Sequence, residues 1–204
     1  TLFRSVYGPD IPIAVVGIIS KVSSIFSSIV IGLSQGNQPI ASYNYGAKNY
    51  RRVMESFIRV LMLAGCFSLL AFAVFQIFPR QILSFFGKGD DLYIQFGTIY
   101  FRRYLFMVWA FYVQPVTATT YTAIGKPLKG IFLSLTRQVI YFIPIILIFS
   151  AAWGIEGTMY AQPAADTLSI ATTLVMIWSE YRTPEFRNEK GIFKDIFRRN
   201  KAAA

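Results

Sequence analysis

Long apolar runs separated by short polar segments dominate the chain. A helix that crosses the hydrocarbon core of a bilayer needs about 20 residues, because the core is about 30 Å thick and each helical residue adds about 1.5 Å. Extended to the nearest glycine, proline or charged turn signals, runs of this length predict five membrane-spanning helices. The predicted helices lie near residues 12–45, 53–79, 93–124, 127–150 and 156–180.

Basic residues follow the first, third and fifth predicted helices, whereas the other connections carry little or balanced charge. The short loops on the cytoplasmic side of membrane proteins are enriched in Lys and Arg. We therefore expect a multi-pass protein of the plasma membrane, with these three sites and the C-terminus in the cytoplasm. The basic residues are Lys48, Arg51 and Arg52, then Lys126 and Lys129, and finally Arg182, Arg187, Lys190, Lys194, Arg198, Arg199 and Lys201.

The pattern divides the chain into a transmembrane bundle, residues 1–181, and a basic cytoplasmic tail, residues 182–204. The tail is interpreted either as a short interfacial helix on anionic lipid or as a solvated basic tail. Five crossings place the first residue outside and the last inside, which predicts that the chain is a truncated part of a longer protein. Arg102 and Arg103 fall near the outer end of the third helix, where the pattern assigns them no role.

Composition agrees with a membrane protein. The chain is 54% hydrophobic, 17% aromatic and only 15% charged, and its net charge of +10 comes from basic residues placed between apolar runs. The bilayer, rather than a nucleic acid, is therefore the expected partner. The chain has no His and a single Cys, which excludes the common zinc sites and His-dependent catalytic dyads and triads. We expect neither an enzyme nor a metal or organic cofactor.

Three ionisable residues fall near the predicted midplane: Lys21, Arg137 and Asp166. A charged side chain near the bilayer centre costs about 2.5–3.5 kcal/mol on translocon scales. Asp166 can pair with either basic residue, which leaves one positive charge unmatched. The pair is interpreted either as a buried ion pair that fixes helix packing or as part of a transport mechanism.

Gln-Pro dipeptides occur in three different predicted helices, at residues 38–39, 114–115 and 162–163. A proline inside a helix leaves the carbonyl four residues earlier without its usual amide donor. Kinked helices with such carbonyls and adjacent amides are suitable walls for a polar membrane site, although they can also be kinks without a binding role. The predicted kinks are at Pro39, Pro115, Pro144 and Pro163.

A polar segment, residues 32–48, ends the first helix with two glutamines, two asparagines and three glycines, so it must face protein or water. Here the sequence resembles the multidrug and toxic compound extrusion family, the MATE exporters, and in particular its MepA-type branch. The matching positions are Gly36, Gln38-Pro39, Gly46-Ala47, Arg51-Arg52, Ala123 to Pro127, Arg137-Gln138 and Pro163 to Asp166.

The resemblance implies an all-α fold of two six-helix bundles that export small organic, often cationic, compounds by alternating access, driven by H⁺ or Na⁺. This chain would be most of the second bundle, and the missing N-terminal bundle would be its partner. Some members use a carboxylate in the tenth helix for coupling, but residues 104–125 contain none. Asp166 is therefore the best candidate in this chain for proton exchange or ion pairing.

Candidate residues of the substrate or ion pathway follow from the midplane charges, the amide side chains within the predicted helices and the aromatic walls. Two alternatives remain: a flippase for lipid-linked sugars from the same wider superfamily, and a membrane fragment that transports nothing. The candidates are Lys21, Gln35, Gln38, Asn44, Gln114, Tyr121, Arg137, Gln138 and Asp166.

Overall fold

Residues 10–86, 91–183 and 186 are described by the computed structural model, and their regular structure is entirely helical. The α-helices are numbered in chain order, and a π-helical segment, Thr136–Phe142, lies between the seventh and the eighth. They are α1 Asp10–Gly46, α2 Tyr50–Ile77, α3 Pro79–Phe86, α4 Asp91–Tyr104, α5 Val108–Phe111, α6 Val113–Ala123, α7 Pro127–Leu135, α8 Ile143–Trp153 and α9 Ile155–Tyr181.

Three stretches of the described helices are long and apolar enough to cross a membrane: Ala14–Gly46, Tyr50–Ile77 and Pro127–Trp153. The last of them comprises α7, the π-helical segment and α8. Helix α9 is also long, with 27 residues, but it is more polar along its length. The predicted all-α polytopic fold is confirmed.

The third predicted helix, residues 93–124, is divided into α4, α5 and α6. The chain turns at residues 105–107 and again at Tyr112. Pro115 has no amide hydrogen to donate to the Phe111 carbonyl, which accounts for the second interruption. The sequence therefore located this part of the bundle but not its division.

The fourth predicted helix, residues 127–150, contains the π-helical segment. Pro144 follows this segment and cannot donate to the carbonyl of Ile140, so the ordinary α-helical hydrogen bond is absent there. Gly154 separates α8 from α9 with φ of 60° and ψ of −134°. This conformation is accessible in practice only to glycine, which explains the sharp reversal.

Aromatic side chains fill the main core, which lies between α1, α2, α4 and α5. Phe26 of α1 stacks on Phe67 of α2 with ring centroids 5.6 Å apart. The ring centroid of Phe111 lies 5.7 Å from that of Phe26. A smaller core joins Val53, Tyr121 and neighbouring apolar residues of α2, α6 and α7. These two cores hold the helices around the polar residues described below.

Large apolar side chains cover much of the outer surface. Leu70 on α2, Leu147 on α8 and Val175 on α9 are each more than half exposed. Apolar patches of this kind are rare on soluble monomers and normally mark contact with a membrane or a partner. The exposed surface is therefore suited to lipid.

Candidate functional site

An ion pair between the π-helical segment and α9 lies at the centre of the candidate site. Arg137 donates from Nε to Oδ1 of Asp166 across 2.9 Å, and the two side chains are 20% and 7% exposed. The sequence left open whether Asp166 pairs with Lys21 or with Arg137. The structure selects Arg137, while Lys21 lies exposed on α1.

Gln162 adds a second donor to the carboxylate. It lies one turn before Asp166 on α9, and its Nε2 is 3.1 and 3.2 Å from the two carboxylate oxygens. Its Oε1 accepts a hydrogen bond from the Tyr104 hydroxyl at the end of α4, over 3.4 Å. Charge-assisted hydrogen bonds of this kind offset the cost of placing a carboxylate away from water. The network therefore connects α4, α9 and the π-helical segment.

Arg137 also contacts an aromatic ring. Its Cζ lies 4.5 Å from the ring centroid of Phe111 in α5, a cation–π contact that favours a cation withdrawn from water. Tyr141, from the same π-helical segment, places its hydroxyl 2.8 Å from Oγ1 of Thr172 in α9. Because π-helical turns occur frequently at functional sites, the combination of this segment with the ion pair identifies the candidate site.

A second row of polar contacts joins α4 to α9 nearer Gly154. The hydroxyls of Tyr100 and Thr158 are 3.2 Å apart. Arg103 places Nη1 3.8 Å from Sδ of Met159, and its Cζ lies 5.3 Å from the ring centroid of Tyr160. These contacts show that Arg103 packs against α9, which the sequence pattern did not predict.

The opposite end of α9 carries a second ion cluster. Glu180 accepts from Nζ of Lys126 and of Lys129, each across 2.5 Å, and its side chain is 9% exposed. The Tyr121 hydroxyl donates to the Met176 carbonyl over 2.9 Å. The connection between α6 and α7 is thereby attached to the end of α9.

A cavity of about 380 Å³ lies between α2, α6 and α9, next to this cluster. Most of its lining is apolar, and α2 supplies more of it than α6 or α9. Tyr112, Tyr121 and Glu180 contribute polar atoms. The cavity is therefore a hydrophobic space with a charged group at one end.

The other predicted site residues differ in their burial. Asn44 and Gln114 are buried, Gln38 is partly buried, and Gln35 and Gln138 are exposed. Nδ2 of Asn44 donates to the Ile40 carbonyl over 2.8 Å, while its buried Oδ1 has no hydrogen-bond partner in the described part of the chain. Within residues 10–86, 91–183 and 186, none of these side chains hydrogen-bonds Asp166. Their place in a pathway stays a prediction.

The four prolines at which kinks were predicted occupy two kinds of position. Pro39 and Pro163 lie inside α1 and α9, which continue through them. Pro115 lies in the first turn of α6, and Pro144 in the first turn of α8. Only the last two therefore coincide with a change of helix in the described residues. That any of them lines a polar path stays a prediction.

Tyr104, Gln162 and Glu180 enter the ion networks but were not among the predicted site residues, although Gln162 was noted in its Gln-Pro dipeptide. A signal existed for Gln162, because its four-residue spacing from Asp166 places both on one face of α9. No sequence signal distinguished Glu180 from any other acidic residue near the end of a membrane-spanning helix. The rotation of α4, which decides the position of Tyr104, is likewise not encoded in a local pattern.

Chemically, the site offers one carboxylate held by a cation and an amide. Protonation of Asp166 would remove the charge that binds Arg137, and a competing cation would displace the same contact. The described residues contain no group of three or more His, Cys, Asp or Glu that could hold a metal ion. The arrangement is suited to exchange of protons or ion partners.

Comparison with solved structures identifies the architecture. The MATE multidrug transporter DinF-BH, solved in complex with rhodamine 6G, is similar with a TM-score of 0.78 and 31% identity over 91% of this chain and 41% of its own. An outward-facing multidrug resistance MATE family transporter matches with a TM-score of 0.78 at 14% identity, over 90% of this chain and 41% of its own. The second likeness concerns the fold alone.

Curated relatives are more distant. Uncharacterized protein MG447 of Mycoplasma genitalium is 29% identical over 64% of this chain and 24% of its own length. An FAD transporter of Shewanella oneidensis is 21% identical over 76% of this chain and 34% of its own. The chain thus spans a quarter to a third of the curated relatives it matches. The MepA-type branch stays a prediction.

A family profile gives the assignment. The MatE profile matches residues 1–148, which is well over half of the 204 residues. With the helical fold and the structural similarity to multidrug transporters, this match places the chain in a family of membrane transporters rather than enzymes. The chain belongs to the MATE family.

Proposed function

We propose that this chain is the C-terminal half of an exporter that moves small organic, often cationic, compounds by alternating access, coupled to H⁺ or Na⁺. The observation that carries the proposal is the buried Asp166 carboxylate of α9, held by Arg137 and Gln162. Ionisable residues inside membrane segments are rare and commonly mark transport pathways. The similarity to DinF-BH, solved in complex with rhodamine 6G, supports an organic compound as the substrate.

In the proposed mechanism Asp166 alternates between its contact with Arg137 and a bound proton or sodium ion. When its charge is neutralised, Arg137 loses its carboxylate partner and the contact between the π-helical segment and α9 weakens. A coupling ion shifts a conformational equilibrium only by its difference in affinity for the two states. Gln162 and Tyr104 would convey this change from α9 to α4.

The proposed location is the plasma membrane, with the loops after α1 and α6 and the C-terminal end of α9 in the cytoplasm. The support is the cluster of basic residues at all three positions, including Lys48, Lys126 and Arg182. The predicted basic tail lies outside the described residues except for Arg182, Thr183 and Phe186.

Efflux from an efflux-deficient host that expresses the complete gene product tests the proposal. Wild type should lower the accumulation of rhodamine 6G, and Asp166→Asn should reduce efflux about tenfold, equivalent to about 1.4 kcal/mol. Glu156→Gln is the matched control, because it removes a carboxylate from the first turn of the same helix and should leave efflux near wild type. Unchanged efflux in Asp166→Asn at equal expression would contradict a coupling role.

An exporter of anionic compounds is the second candidate. It is favoured by the relative described as an FAD transporter and by Lys21, which is exposed on α1. A lipid-linked sugar flippase would share this preference for anions. Absence of rhodamine efflux from wild type under both proton and sodium gradients would favour this class over the cation exporter.

A further inference from the structure

The cavity between α2, α6 and α9 is separate from the Arg137–Asp166 pair and is suited to a hydrocarbon chain. Its volume of about 380 Å³ is lined by residues such as Ile58, Leu61 and Leu174. Small-molecule sites commonly have volumes of about 300–1,000 Å³ and mostly apolar walls with a few polar groups. The cavity meets both conditions.

Glu180 is the charged side chain of the described cavity lining, and the two lysines that bind it lie just outside that lining. Lys126 and Lys129 supply two positive charges against the one negative charge of Glu180, so the three side chains have a net charge of +1. The Lys129 side chain is 42% exposed, which leaves its ammonium group accessible from outside. Arg182 lies just beyond, with its Cζ 3.5 Å from the ring centroid of Trp178.

This arrangement favours an anionic ligand over a cationic one. Glu180 is the carboxylate that the described lining offers to an organic cation, and both of its oxygens already accept from ammonium groups. A phosphate could share the two ammonium groups, because Lys binds phosphate as a compact charge and can contact more than one acceptor. A ligand with an apolar chain and an anionic headgroup matches both ends of the cavity.

We propose that this cavity binds an anionic phospholipid, with an acyl chain between α2, α6 and α9 and the phosphate beside Lys126 and Lys129. Its assignment to the cytoplasmic leaflet rests on the proposed orientation, whereas the binding itself does not depend on transport. The bound lipid would brace the α6–α7 connection against the end of α9. The described lining of this cavity includes neither Arg137 nor Asp166.

Three variants test the charged end and the apolar part of the site separately. Lys129→Gln removes one positive charge while Lys126 continues to hold Glu180. Thr120→Phe fills the cavity, and the hydroxyl it removes donates, in the described part of the chain, to the Val116 carbonyl of its own helix over 2.8 Å. Arg59→Gln is the matched control, because Arg59 is an exposed cation of α2 whose described ion pair is with Glu55 and not with Glu180.

Native mass spectrometry of the purified full-length protein tests the proposal. Phosphatidylglycerol and phosphatidylcholine with identical acyl chains are offered at equal concentration, and the lipid retained per protein is counted. Wild type and Arg59→Gln should retain phosphatidylglycerol several-fold more than phosphatidylcholine. Lys129→Gln should lose this preference, and Thr120→Phe should lose retention of both lipids.

Glu180→Gln tests the sign of the ligand charge. It should retain phosphatidylglycerol at least as well as wild type, because the lysines lose their competing carboxylate. Equal retention of the two lipids by wild type, or unchanged retention in Thr120→Phe, would overturn the proposal. Displacement of phosphatidylglycerol by rhodamine 6G that is abolished in Glu180→Gln would also overturn it, because the cavity would then be a cation site. None of these readouts requires export, so a failed efflux assay does not decide them.

Discussion

Asp166 and Arg137 stabilise each other because their side chains are only 7% and 20% exposed, so water replaces either partner poorly. Their Nε–Oδ1 distance is 2.9 Å, Gln162 donates to the Asp166 carboxylate, and the Phe111 ring contacts the Arg137 guanidinium. Removal of one partner from a buried pair costs about 3–5 kcal/mol, whereas its replacement by two apolar residues is often neutral. The stability and the coupling role of the pair can therefore be separated experimentally.

Arg137→Met should lower the thermal midpoint of the detergent-solubilised protein, because Asp166 is left charged and without its cation. The double variant Arg137→Met with Asp166→Leu should recover most of the loss in stability and still fail to export. Thermal unfolding followed by size-exclusion chromatography measures the first effect, and rhodamine accumulation the second. A double variant as unstable as the single one would show that Arg137 acts through other contacts.

The pairing of Asp166 with Arg137 rather than with Lys21 shows how far the sequence predicts contacts between single residues. Hydropathy placed both residues and Asp166 at similar depth, so depth could not decide the pairing. The decision depends on how each helix is rotated about its axis. Lys21 lies on an exposed face of α1, whereas the π-helical segment brings Arg137 against α9. Local periodicity carries little information about such rotation.

Helix α6 and helix α7 approach each other closely at Gly130. A Cβ at this position would lie 2.6 Å from the Ala118 carbonyl oxygen and 2.7 Å from Oγ1 of Thr122. Because the nearer atom belongs to the backbone, the two helices would have to separate. The close approach holds the α6–α7 connection beside Glu180.

Gly130→Ala should therefore destabilise the protein by about 1–3 kcal/mol, as is typical of overpacking. Gly32→Ala is the control, because a Cβ at Gly32 has nothing within 4 Å and a glycine-to-alanine change favours a helix by about 0.5–1 kcal/mol. Chemical unfolding of the two variants should give changes of opposite sign in the free energy of unfolding, relative to wild type. Equal stability of the two variants would contradict the described contact between α6 and α7.

The elements themselves were only partly predictable. The apolar runs gave the ends of the first helix, near 12–45 against Asp10–Gly46, and of the fifth, near 156–180 against Ile155–Tyr181. They did not give the division of 93–124 or the π-helical segment, because a break in backbone hydrogen bonding leaves hydropathy unchanged. Pro115 and Pro144 marked both places without specifying their form.

At the scale of the whole molecule, the chain matches 41% of DinF-BH with a TM-score of 0.78. Among the described residues, α9 takes part in two separate ion-pair clusters: the Arg137–Asp166 pair within the bundle, and the Glu180 cluster at one end. In the proposed exporter the first responds to the coupling ion and the second binds lipid. Sequence patterns identified the family and the first centre, whereas the second depends on contacts between distant segments.

Gradient-driven transport by the purified full-length protein tests the central claim most directly. Rhodamine 6G movement is measured in proteoliposomes with an imposed H⁺ or Na⁺ gradient, for wild type, Asp166→Asn and the control Glu156→Gln. We expect one of the two gradients to drive transport by wild type and the control, and Asp166→Asn, compared at an equal amount of folded protein, not to respond to it. An equal response of Asp166→Asn to the gradient would contradict the claim that this carboxylate couples ion movement to export.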